Sequence, residues 1–142
     1  MKVKDLLKNI DSWFCNSIYY CEFVTNVQES YNEQPNNLKY CYISDITVND
    51  ENKTVDIILE RDLNNTIFMY GDAFRDMFID IDLEYDITFW YEIEHYKTRI
   101  IEIDEVIHST NGCLTIKFTE RKLKKLQKEK QNEIIQSFLT KL

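Results

Sequence analysis

From Ile79 to Glu94 the chain reads I-D-I-D-L-E-Y-D-I-T-F-W-Y-E-I-E, apolar at every odd position and mostly acidic at the even ones. In extended backbone, successive side chains point to opposite faces. The stretch can therefore bury Ile79, Ile81, Leu83, Tyr85, Ile87, Phe89, Tyr91 and Ile93 while its other face carries carboxylates. A helical period competes at its start. Gly71-Asp72 offers a break and an N-cap, and Phe74, Met77, Phe78 and Ile81 fall at helical spacing. A strand from 78 to 96 would run roughly 60 Å, well beyond the usual five or six residues. Length decides between the two periods: a helix over 73–80 is expected, then a strand over 84–96.

The other elements follow from the same periodicities. Val3, Leu6, Leu7 and Ile10 are spaced for a short amphipathic helix over 2–10, with Trp13-Phe14 anchoring it. Ser17 to Val27 is rich in β-branched and aromatic residues, as strands are. Leu38–Val48 and Thr54–Arg61, joined by the polar turn 49–53, predict a β-hairpin. Thr66–Tyr70 reads as a short strand. Thr98–His108 and Gly112–Thr119 predict a second hairpin around Asn111-Gly112, since Asn-Gly is the strongest short hairpin signal. From 119 to 142 the composition favours a long C-terminal helix. Its first half is charged, and Ile134, Ile135, Phe138 and Leu139 need cover from this domain or a second copy. The expected fold is α+β: a mainly antiparallel sheet of about six or seven strands, a short N-terminal helix, one inserted helix and the C-terminal helix. At 142 residues, with no linker and no internal repeat, a single domain over 1–142 is expected.

Only two glycines, Gly71 and Gly112, are present, which removes glycine-rich phosphate loops and the nucleophile elbow in their usual forms. Cys15, Cys21, Cys41 and Cys113 contain no C-x-x-C pair, and His95 and His108 are too few for a histidine-rich metal centre. No cofactor is expected, and the cysteines read as reduced core residues. No apolar run reaches the length of a membrane span, and the N-terminus lacks a signal-peptide pattern, so a cytoplasmic protein is expected.

Charge is the remaining signal. The chain has a net charge of −8, yet residues 120–142 hold seven bases against three acids, so the rest carries −12. Between 76 and 105 there are ten acids and two bases. This balance argues against direct nucleic-acid binding. Asp80, Asp82, Glu84, Asp86, Glu92 and Glu94, with Trp90 among them, are the candidate partner-binding residues. Three uses are open to them. They can be a solvated face that discourages edge pairing, a negative surface for a basic partner, or oxygen ligands for a divalent metal. Trp90 is either an apolar interface anchor or a residue covered by the C-terminal helix.

The opening Val3-Lys4-Asp5-Leu6-Leu7 helix, followed by a strand, is similar to small accessory proteins of phages and mobile elements over about ten residues. A composition rich in Asn, Ile, Lys and Tyr resembles that of AT-rich bacterial or phage genomes. The reading is an acidic binding protein that blocks a basic, nucleic-acid-handling partner protein, of anti-CRISPR or other anti-defence type. A structural protein dimerising through its C-terminal helix is one alternative. A divalent-metal enzyme using the 80–86 carboxylates is another.

Overall fold

The computed structural model describes residues 1–13, 20–30, 32–34, 36–64, 69–94, 97–108 and 112–121, with the side chains of Glu94 and Lys97 outside the description. Its elements run α1 (Val3–Trp13), β1 (Tyr20–Thr25), β2 (Lys39–Asn49), β3 (Thr54–Arg61), β4 (Met69–Tyr70), α2 (Gly71–Asp76), β5 (Asp86–Glu94), β6 (Lys97–His108) and β7 (Cys113–Glu120).

The two expected hairpins form. β2 and β3 pair antiparallel from Cys41↔Arg61 to Asn49↔Thr54, and β6 and β7 from Ile101↔Glu120 to His108↔Leu114. At the first tip Asn49 Oδ1 accepts the backbone N–H of Asn52, and Lys53 takes a positive φ of 58°. What the hairpins build, however, is not an α+β sheet. β3 pairs β5 in parallel, β7 pairs β1 in parallel, and β1 pairs β2 antiparallel. The order β2-β3-β5-β6-β7-β1 thus returns to β2 and closes a mixed six-stranded barrel, with β4 added on β1 at Tyr20 and Cys21.

Closure needs strands that bend. β2 and β6 are 11 and 12 residues long, and register shifts fall between Ile43 and Asp45 and between Ile103 and Asp104–Glu105. A bulge of this kind bends a strand and increases its twist, which lets each long strand pass from one neighbour to the next.

The inner wall is apolar. Val55, Ile57 and Leu59 of β3, Ile87, Phe89 and Tyr91 of β5, and Leu114, Ile116 and Phe118 of β7 are buried on the strict alternation of their strands. Phe23, Phe74 and Phe78 stack edge to face at 5.3 and 5.6 Å, and Phe89 meets Phe118 at 5.0 Å, within the favourable range for aromatic pairs. α1 turns Val3, Leu6 and Ile10 into this core, with Leu7 and Trp13 packed at its edge. Each of its three buried aliphatic chains contributes on the order of 1.5–3 kcal/mol by leaving water.

Several expectations are corrected. Only two short helices occur among the described residues, and the α+β reading gives way to a mostly β barrel. α1 continues through Asp11 and Ser12 to Trp13. α2 ends at Asp76 rather than near 80, and turns follow to Glu84. Thr119 and Glu120 close β7 instead of opening a helix. The expected C-terminal helix, its packing and any dimer through it otherwise lie outside the described residues. No helix among the described residues is long and apolar enough to cross a membrane.

Candidate functional site

The acidic run does not form one face. Asp80, Asp82 and Glu84 sit in turns, and Asp86 is the first residue of β5. The alternation at 79–85 is lost because these residues join α2 to β5 and are held by local bonds. Asp82 Oδ1 accepts the Glu84 N–H at 2.9 Å and the Asp82 carbonyl accepts the Tyr85 N–H. Ile79 and Leu83, expected to be buried, are exposed.

Glu84 has a structural partner set. Lys2, just before α1, and Lys4 in its first turn reach its two oxygens at 2.8 and 2.9 Å. Those hydrogen bonds hold its carboxyl down to about 2 and raise the Lys2 ammonium. The same stretch ties the N-terminus to the barrel: Ile87 N–H donates to Met1 O at 2.7 Å, Val3 N–H to Tyr85 O, and Lys4 N–H to Leu83 O. Asp80, Asp82, Glu84 and Asp86 do not converge into a ligand set, and no group of three or more metal-ligating side chains exists among the described residues.

Trp90 lies midway along the outer wall. Its indole N–H donates to Asp56 Oδ1 at 2.9 Å, and its register neighbours are Ile58 and Ile100, both half-buried. The apolar neighbours lie on adjacent strands, which no reading of β5 alone could reveal.

Glu92 belongs elsewhere. It stands six residues from Asp86, about 20 Å along β5, at the opposite end of the barrel. There Glu92 and Glu60 are register partners on neighbouring strands, and Tyr42 of β2 faces Glu60. Tyr42 O–H donates to Glu60 Oε2 at 2.9 Å, and this bond raises the Tyr42 hydroxyl. These residues line a groove of about 520 Å3 together with Glu29, Ser30, Arg61, Leu63 and Ile93. Leu63 is 78% exposed at its rim.

A partly buried ion network adjoins the groove and shares Glu29 and Arg61 with its lining. Tyr91, whose ring is fully buried in the core, donates its hydroxyl to Glu29 Oε1 at 2.6 Å. Burial first, and then the Glu29 carboxylate, push the Tyr91 hydroxyl strongly upward. Glu29 Oε2 accepts Arg61 Nη1 at 2.9 Å. Lys39, only 5% exposed, donates to Glu33 and to the Val27 carbonyl, and stands 3.9 Å from Glu29. Burial raises the Glu33 carboxyl, but bonds from Lys39, the Glu29 N–H and Asn37 outweigh it and hold the group below its ordinary range. Buried charges persist when paired and hydrogen-bonded, and this set ties Val27, Glu29 and Glu33 to Lys39 of β2 and Tyr91 of β5.

The sequence offered one clue to this network: Glu29 and Glu33 share a polar loop shortly before a lysine set among Leu38, Tyr40 and Cys41. Glu94, also singled out from sequence, contributes backbone to β5, but its side chain lies outside the description. Cys21, Cys41 and Cys113 are buried free thiols, each pushed up to about 12 by desolvation, and Cys113 donates to Glu22 at 3.1 Å. They serve the core; Cys15 lies outside the described residues.

Comparison with protein-family models, curated proteins and solved structures finds no match for this chain.

Proposed function

We infer that this is an acidic binding protein whose groove at the Glu92 end of the barrel receives basic side chains of a partner protein. The observation that carries the reading is the pairing of carboxylates with apolar wall. Glu60 and Glu92 stand side by side in register, while Tyr42, Leu63 and Ile93 supply apolar surface. A lysine or arginine lays its aliphatic stem on such a wall and places its charged head at the carboxylates. Arg61 is drawn toward Glu29, and Glu60 and Glu92 line the groove beside them.

A partner that handles nucleic acid presents a basic surface of the required kind. Occupying that surface would block it, in the manner of an anti-defence inhibitor working in a host cytoplasm. The net charge of −8 supports the same reading by steering a basic partner toward the protein. The carboxylates at 80–86 are then not the binding residues: Glu84 is held by Lys2 and Lys4, and the run lies at the far end from Glu92.

The test is a titration with a lysine- and arginine-rich peptide. Glu60→Gln combined with Glu92→Gln should weaken binding by about tenfold or more, equivalent to about 1.4 kcal/mol. Asp80→Asn with Asp82→Asn should leave it unchanged. Equal losses in both variants would reduce the effect to general charge and remove the groove as a site. A partner isolated from nuclease-treated bacterial lysate should then lose its nucleic-acid binding when the wild-type protein is added, but not when the groove variant is.

A further inference from the structure

β5 and β6 stay paired only from Glu94↔Lys97 to Phe89↔Ile101. Beyond that point β5 turns its edge to the N-terminus, through the Ile87–Met1 bond and the Lys2↔Asp86 bridge. β6 continues to His108 with β7 on one side, and among the described residues no strand pairs its other side. A cavity of about 230 Å3 opens in this seam, lined by Met1, Ile87, Thr88, Ile100, Glu102 and Ile103 among others. Ile107 is 43% exposed along the same edge.

The edge carries Glu102, Asp104 and Glu105. Lys117 approaches Asp104 at 3.5 Å, and among the described residues no ion pair reaches the other two. Proteins guard open edges with bulges and charge, and this edge has both. Its guard is mainly acidic, although Arg121 also lines the seam cavity. Two copies meeting edge to edge would set these acids against each other, which is unfavourable for directly opposed strands, on a chain that already carries −8. An extended segment with lysine or arginine at alternate positions meets no such penalty. Its main chain can complete the ladder, which supplies affinity in strand addition. Its intervening apolar side chains can enter the seam cavity.

We propose that the Glu102–His108 edge of β6 is a second docking surface, which takes up an extended basic segment of a partner protein by strand addition. It lies along β6 away from the groove, whose nearest β6 neighbour is Thr98, register partner of Glu92. It therefore stands whether or not the groove binds.

The probe is a blocked peptide of alternating lysine and valine, about eight residues long, a length at the upper end of common strands. The readout is backbone amide exchange of the full chain. With peptide, amides within 102–108 should slow by about tenfold or more, in the wild type and equally in the Glu60→Gln, Glu92→Gln variant. Glu102→Lys with Glu105→Lys should abolish that protection and confer it on an alternating glutamate–valine peptide. The exposed Glu105→Gln, which leaves packing alone, should reduce the wild-type response. Protection by both peptides in the wild type, or by neither, would overturn the proposal. So would protection of 102–108 in the free protein that disappears on truncation after Arg121, because the chain's own C-terminal segment would then fill the edge.

Discussion

Phe89 shows most directly how single residues hold this barrel. It is buried on the inner wall and meets Phe118 of β7 at a tilt, so one ring joins two strands that are not neighbours in the sheet. Phe89→Ala should cost about 3–5 kcal/mol, read as a lower midpoint in a urea melt at unchanged slope. A loss below about 1 kcal/mol would place the ring outside the packed core. The alternation Ile87, Phe89, Tyr91 made this inner face legible in the sequence, because period two needs no knowledge of partners. Tyr91 was legible only in part. Its ring follows the pattern, but its hydroxyl reaches Glu29, a residue 62 positions away, and local spacing cannot show such a bond. Lys39 was missed for the same reason: a lysine in a strand reads as exposed until the loop carrying Glu33 folds over it.

Among the elements, α1 carries an exposed charged tie beside its buried face. Its start is tied to the β5 entry by Lys2 and Lys4 on Glu84. The Glu84 carboxyl lies at about 2 in the fold against an ordinary 4.5. A depressed carboxyl contributes stability that is fully present above its unfolded value and lost as pH falls through the folded one. The tie should therefore hold at neutral pH and weaken between about 4.5 and about 2. The amides of Val3, Lys4 and Ile87 should gain exchange over that window, and Glu84→Gln should remove the pH dependence. An unchanged acid profile in that variant would show that α1 is held by Val3, Leu6 and Ile10 alone. Hairpins were readable here because their signals sit within a few residues: the polar turn 49–53 and Asn111-Gly112. The segment 79–85 misled because two periods overlapped there. Neither prevailed, and short-range bonds around Asp82 fixed turns instead.

At the scale of the whole molecule, closure decides the fold, and closure was the least legible feature. The β3–β5 and β7–β1 pairings join residues about 30 and 90 positions apart, and nothing in a strand's own sequence names a parallel neighbour. Among the described residues, β1 alone has three neighbours: β7 on one side, β2 and β4 on the other. Its amides should exchange only through complete unfolding, at the free energy measured by denaturant. Exchange of Phe23, Val24 and Thr25 at a clearly lower free energy would mean that the barrel opens at β1 without unfolding.

The β7–β1 pairing also has a consequence for synthesis. β1 is among the first strands to leave the ribosome, while Cys113–Phe118, its parallel partner, emerges near the end. At about 5–20 residues per second, the Tyr20–Thr25 segment waits several seconds with that edge unmet. Contacts so distant in sequence also form slowly, since loop closure precedes their reward. The nascent chain is therefore most vulnerable to chaperone capture or misassociation at β1, and yield on expression should respond to translation rate more than the stability of the finished barrel would suggest.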